Sequence, residues 1–70
     1  MKKISVSLSG HQTSISLENE FADTLQQIAV ARKTSVAALI GQIDATRNAD
    51  DNLSSAVRVW ILQQVKKASY

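Results

Sequence analysis

The segment Thr13-Ser14-Ile15-Ser16-Leu17-Glu18 constrains this chain more than any other. Ile15 and Leu17 fall on one face and Ser14 and Ser16 on the other, which is the period-2 pattern of a half-buried strand. The residues after it switch to helical spacing. A strand cannot stand alone, because its backbone N–H and C=O groups need partners. Whatever pairs with this segment therefore decides what the chain becomes.

Size narrows the choices. A chain of 70 residues makes one domain and buries only about 60% of its unfolded surface, which leaves it marginal by itself. Small chains compensate with disulfides, metals or oligomerisation. There is no Cys and one His, so disulfides and a zinc cluster are excluded and no metal site is expected. Oligomerisation remains, and a second copy becomes the expected partner of the strand. No run approaches the roughly 18 apolar residues of a membrane span. Met1-Lys2-Lys3 has the charge of a signal peptide, but Ile4-Ser5-Val6-Ser7-Leu8-Ser9 alternates and makes no continuous apolar stretch. The expectation is a soluble, cytoplasmic protein with no membrane partner. A net charge of +2 permits a nucleic-acid partner without demanding one.

The spacing predicts one domain over residues 1–70, mainly α with a short β ribbon. Residues 3–8 alternate Ile4, Val6 and Leu8 with Lys3, Ser5 and Ser7, and Ser9-Gly10-His11 follows as a turn. The strand proper covers 12–17. A helix over about 19–32 carries Phe21, Leu25, Ile28 and Ala29 as one apolar stripe. Glu18, Glu20 and Asp23 lie near its N-terminus and Arg32 and Lys33 near its C-terminus, as the helix dipole prefers. Thr34-Ser35 signals the cap of a second helix over about 35–46, with Val36, Leu39, Ile40 and Ile43 on one face. Gly41 inside it costs about 1 kcal/mol against Ala, which suits close approach by another backbone. A third helix over about 53–67 follows the polar linker Asn48-Ala49-Asp50-Asp51-Asn52. Leu53, Val57, Trp60 and Ile61 lie on one side of it, Val59 and Leu62 on another. A helix so apolar is buried from several sides, more than one short chain is expected to supply.

Little here suggests chemistry. His11 sits by a turn with no nucleophile or carboxylate spaced to serve it. Asp50-Asp51 reads as a pair of caps, and Trp60 among Val59, Ile61 and Leu62 reads as core. The chain shows no phosphate loop or metal cluster and is too small to enclose a substrate. No catalytic residue, no cofactor and no enzyme activity are expected.

Strand, helix, helix in this order resembles the ribbon-helix-helix (Arc/MetJ-like) family of bacterial DNA-binding proteins. The residues that carry the likeness are Ser14-Ile15-Ser16-Leu17-Glu18-Asn19-Glu20-Phe21, then Leu25 and Ile28-Ala29, then the Ser-capped second helix. Gly10-His11-Gln12-Thr13-Ser14-Ile15-Ser16-Leu17-Glu18 and Asn52-Leu53-Ser54-Ser55-Ala56-Val57-Arg58-Val59 are similar to a subgroup of small bacterial proteins in that family. The resemblance implies a ribbon-helix-helix homodimer, with an additional C-terminal helix and residues 3–8 available as an extra N-terminal strand. Ile15, Leu17, Phe21, Leu25, Ile28, Leu39, Ile40, Val57, Trp60 and Ile61 are the expected dimer core.

The implied function is transcription regulation, with an antiparallel ribbon read into the major groove of double-stranded DNA. A two-stranded ribbon fits that groove, and Gln12, Ser14 and Ser16 would meet base edges. Lys33, Thr34 and Ser35 are the expected phosphate contacts at a helix N-terminus, with Ser54, Ser55 and Arg58 as the alternative set. Two features depart from the family pattern. Two serines and a glutamine stand where members often carry Lys or Arg. And if residues 3–8 pair with 12–17, the dimer sheet becomes four strands wide. At about 4.8 Å per strand, it would not seat flat in a groove about 12 Å wide. The alternative function is a dimeric, antitoxin-like adaptor that binds a protein partner and no DNA. The chain ends about ten residues past Trp60, which speaks against an antitoxin tail.

Overall fold

The computed structural model describes residues 1–69. Two antiparallel strands, β1 (Lys2–Leu8) and β2 (His11–Leu17), precede three helices, α1 (Asn19–Ala31), α2 (Val36–Thr46) and α3 (Leu53–Ser69). Ser9 and Gly10 join the strands with φ of 50° and 82°. Positive φ at both central residues marks the tight two-residue turn whose twist matches that of the strands. The register pairs Ile4 with Ile15, Val6 with Thr13, Ser5 with Ser14 and Ser7 with Gln12.

This pairing fills one edge of the 12–17 segment from within the chain, with the extra N-terminal strand that the resemblance left available. The partner on that edge is residues 2–8 of the same chain. The physical reason is proximity. A two-residue loop brings the strands together without a search, and loop-closure cost grows with length. Both alternations then place their apolar residues on the same face.

That face is one wall of the core. Val6, Ile15 and Leu17 from the hairpin meet Ala22, Leu25 and Ala29 from α1, Leu39, Ile40 and Ile43 from α2, and Val57 and Ile61 from α3. Of the residues expected in a dimer core, Ile15, Leu17, Leu25, Leu39, Ile40, Val57 and Ile61 are buried by the single chain. Phe21, Ile28 and Trp60 pack partly buried against them. One chain therefore buries most of this set by itself, with β1 packing on α2 and β2 on α1 and α3. What it leaves uncovered is the other side of α3, where Val59 is 53%, Leu62 53% and Val65 42% exposed.

Local signals fix the helix ends. α1 stops at Ala31 because Lys33 turns left-handed, with φ of 55°. The Lys33 N–H then donates to Val30 O at 3.1 Å and the Thr34 N–H to Ala29 O at 2.9 Å, the paired bonds of a Schellman motif. Ser35 caps α2, its Oγ accepting from the Ala38 N–H at 3.0 Å. Asn52 Oδ1 accepts from the Ser55 N–H at 3.2 Å and starts α3. Arg47 closes the loop between them, donating from Nε to Asp44 Oδ1 at 2.7 Å and from a terminal nitrogen to Asp51 O at 2.6 Å. Gly41 does not receive a backbone. A Cβ built there would lie 3.9 Å from the Leu8 side chain, an ordinary contact.

Candidate nucleic-acid interface

The outer face of the hairpin is polar throughout. Gln12, Ser14 and Ser16 of β2 stand exposed on it, as the alternation predicts. The register sets Ser7, Ser5 and Lys3 of β1 opposite them, also exposed. These three β1 residues were absent from the sequence-based site. The alternation over 3–8 carried their orientation, but only the pairing with β2 brings them onto the same surface. No carboxylate lies on this face.

The hairpin also leaves an edge open. Leu8 and His11 flank the two-residue turn and form a hydrogen-bonded pair, and such pairs alternate along an antiparallel ladder. The backbone groups of Thr13 and Ile15 thus point toward β1. Those of Gln12, Ser14 and Ser16 point the other way and form a free edge, a ready template for another strand. Among the described residues the sheet has these two strands alone.

The two candidate phosphate sites differ in what they have free. At α2 the Ser35 hydroxyl takes the Ala38 N–H, while the first N–H groups of the helix lack intrahelical partners. Lys33 is exposed there and makes no ion pair among the described residues. Val36, the first residue of α2, shares a small cleft with Lys2 and Ile4, so this helix start lies beside the beginning of β1. Lys2 itself reaches Asp23 at 4.0 Å.

At α3 the situation is reversed. Ser54 and Ser55 lie in its first turn, but Arg58 donates from Nε to Glu18 Oε1 at 2.8 Å. That bond, with a further one from backbone, holds the Glu18 carboxyl below the usual carboxylate range. Arg58 is thus already paired, and it ties the end of β2 to α3. The set Lys33, Thr34 and Ser35 is the better equipped of the two.

Other surfaces offer less. An open groove of about 360 Å³ lies between α2 and α3, but its charged residues, Arg47 and Asp51, are tied into the loop clip. Arg32 stacks over the Trp60 ring at 5.2 Å and bonds Gln64 Oε1, fastening α1 to α3.

A family model, the ribbon-helix-helix domain, matches residues 1–65. The chain belongs to the ribbon-helix-helix family. The matched region takes in β1 and most of α3 as well as β2, α1 and α2. Ribbon-helix-helix domains in general dimerise and bind DNA, and the family's proteins are typically regulators without enzymatic activity. No curated protein and no solved structure matches the chain. Among the described residues, no helix of this ribbon-helix-helix protein is long and apolar enough to cross a membrane.

Proposed function

We propose that the protein is a sequence-specific DNA-binding homodimer that regulates transcription in a bacterial cytoplasm. The observation that carries this reading is the outer face of the hairpin. It is exposed and polar, free of carboxylates, and presented on a paired antiparallel ribbon.

Dimerisation uses the open edge of β2. Two copies pair antiparallel about a two-fold axis at Ser14, so that Ser14 meets its own copy and Gln12 meets Ser16 of the partner. Only the backbone groups that β1 leaves free are needed. The exposed Val59, Leu62 and Val65 of α3 offer further apolar surface for the second copy to cover. In the groove, Gln12 offers a bidentate match to adenine, and Ser14 and Ser16 bond either donor or acceptor edges. The start of α2, with Lys33 and Ser35, takes a phosphate through its N–H groups and dipole.

The test is duplex binding at low salt with a randomised library, together with sedimentation to count copies per site. The expected result is one dimer per site, with affinity that falls steeply as salt rises. Gln12→Ala should cost about 1–3 kcal/mol and relax preference at one base pair. A folded dimer with no affinity for any duplex would overturn the proposal. It would favour the second reading, a dimeric adaptor for a protein partner. One observation supports that alternative: with β1 paired, a flat four-stranded sheet is wider than the groove.

A further inference from the structure

The width that counts against a flat fit also assigns a task to β1. We infer that the outer face of β1, through Lys3 with Ser5 and Ser7, binds the DNA sugar–phosphate backbone along the rims of the groove. This rests on the dimer and the DNA binding proposed above.

The reasoning begins with strand order. With β2 pairing across the two-fold axis, the sheet runs β1, β2, then the partner's β2 and β1. Strand axes lie about 4.8 Å apart, so the two central strands span about 5 Å and the two outer ones about 14 Å. The major groove is about 12 Å wide. The central pair fits between the backbones. The outer pair does not, and comes to lie over them. Sheet twist of roughly 20–25° per strand tilts each β1 out of the central plane, so the sheet can straddle the groove rather than lie flat in it.

The side chains suit that division. The register sets Lys3 opposite Ser16, Ser5 opposite Ser14 and Ser7 opposite Gln12, so β1 repeats the polar row of β2 one strand further out. Hydroxyls and ammonium groups are the usual donors to phosphate oxygens, and such contacts position a protein without reading sequence. Lys3 is exposed and makes no ion pair among the described residues, whereas Lys2, on the opposite face, reaches Asp23. Among the described residues, the only side-chain cation on the outer face therefore sits on the strand that the geometry sets over the phosphates. The residue with the richest base-reading side chain, Gln12, sits on the strand that enters between them.

The experiment compares Lys3→Gln with wild type by titrating a bound duplex between about 50 and about 200 mM salt. Lys67→Gln serves as control, since it removes the same charge from the exposed far end of α3. Each dimer loses two phosphate contacts in Lys3→Gln, so the slope of log affinity against log salt should flatten by about 1.8. Over that range the wild type then loses about tenfold more affinity than the variant. Base preference should not change. An unchanged slope, an equal change in Lys67→Gln, or an altered base preference in Lys3→Gln would each overturn the inference. Failure of the wild type to bind any duplex would instead overturn the DNA reading beneath it, so the two failures are distinct. Lys3 is solvated, so loss of folding is not expected, and a circular-dichroism melt of the variant checks it.

Discussion

Replacing Lys33 by Gly is expected to stabilise the fold and weaken DNA binding together. Lys33 ends α1 in the left-handed region, with φ of 55°. A side chain with a Cβ costs roughly 1–2 kcal/mol in that conformation. Gly avoids this cost but gives back roughly 0.5–1 kcal/mol through the freedom it adds to the unfolded chain. The difference leaves a net gain of about 0.5–1 kcal/mol. For a domain of this size that raises Tm by about 4 °C. The gain depends on the Schellman bonds from Lys33 N–H to Val30 O and from Thr34 N–H to Ala29 O, which hold the residue in that conformation. Urea unfolding followed by circular dichroism should show a higher midpoint with an unchanged m-value. Lys33→Ala is the control, because it removes the charge and keeps the Cβ. It should show no gain.

The functional half is read separately. If Lys33 contacts phosphate at the start of α2, both variants should flatten the salt slope by about 1.8 per dimer. Gly is the usual residue at such a helix end, and an amine on a strained backbone has a reason to stand there if it holds a phosphate. If Lys33→Gly is no more stable than Lys33→Ala, the account of the backbone cost is wrong. If it is more stable and binds DNA with the wild-type slope, the phosphate role is wrong.

Four other substitutions test separate parts of the structure. Gly41→Ala should stabilise α2 by about 1 kcal/mol, since the new methyl meets only the Leu8 side chain at 3.9 Å; a loss of stability in a thermal melt would show a closer neighbour. Leu25→Ala, at a fully buried site, should cost about 2–5 kcal/mol at any concentration. Leu62→Ala should cost under about 0.5 kcal/mol in dilute protein and more where dimers form; a cost independent of concentration would mean that no second copy covers it. Glu18→Gln should make stability less sensitive to acid. The folded-state pKa of Glu18 is lowered, chiefly by the Arg58 hydrogen bond, so its contribution is present at neutral pH and is lost as pH falls below 4.5. Equal acid sensitivity in urea melts of wild type and variant would refute that role.

Parity along the strands was legible, but their pairing was not, and a single residue explains why. Counting His11 in the turn yields a three-residue loop and leaves the pairing of 3–8 with 12–17 as an open alternative. Ser9-Gly10 alone is a two-residue hairpin loop, and with it the alternations on either side fall into register. α3 shows the same mixture. Its two apolar sides were legible from spacing, and the structure buries Val57 and Ile61 while exposing Val59 and Leu62. That the first side could be covered by the chain itself was not legible, because it depended on α3 packing at once on β2, α1 and α2, which spacing along one helix does not encode.

The choice between the two phosphate candidates lay further out of reach. Ser35 and Asn52 both announce helix starts, and each has a cation near it in sequence. The difference is a hydrogen bond between Arg58 and Glu18, 40 residues apart, which no local pattern encodes. That bond neutralises the cation at α3 and leaves Lys33 at α2 unpaired, beside the strand that carries Lys3. If Arg58→Gln leaves the salt slope of DNA binding unchanged while Lys33→Ala flattens it, the free charge has told the two helix starts apart. If Arg58→Gln flattens the slope instead, the ion pair opens on DNA and the assignment moves to α3.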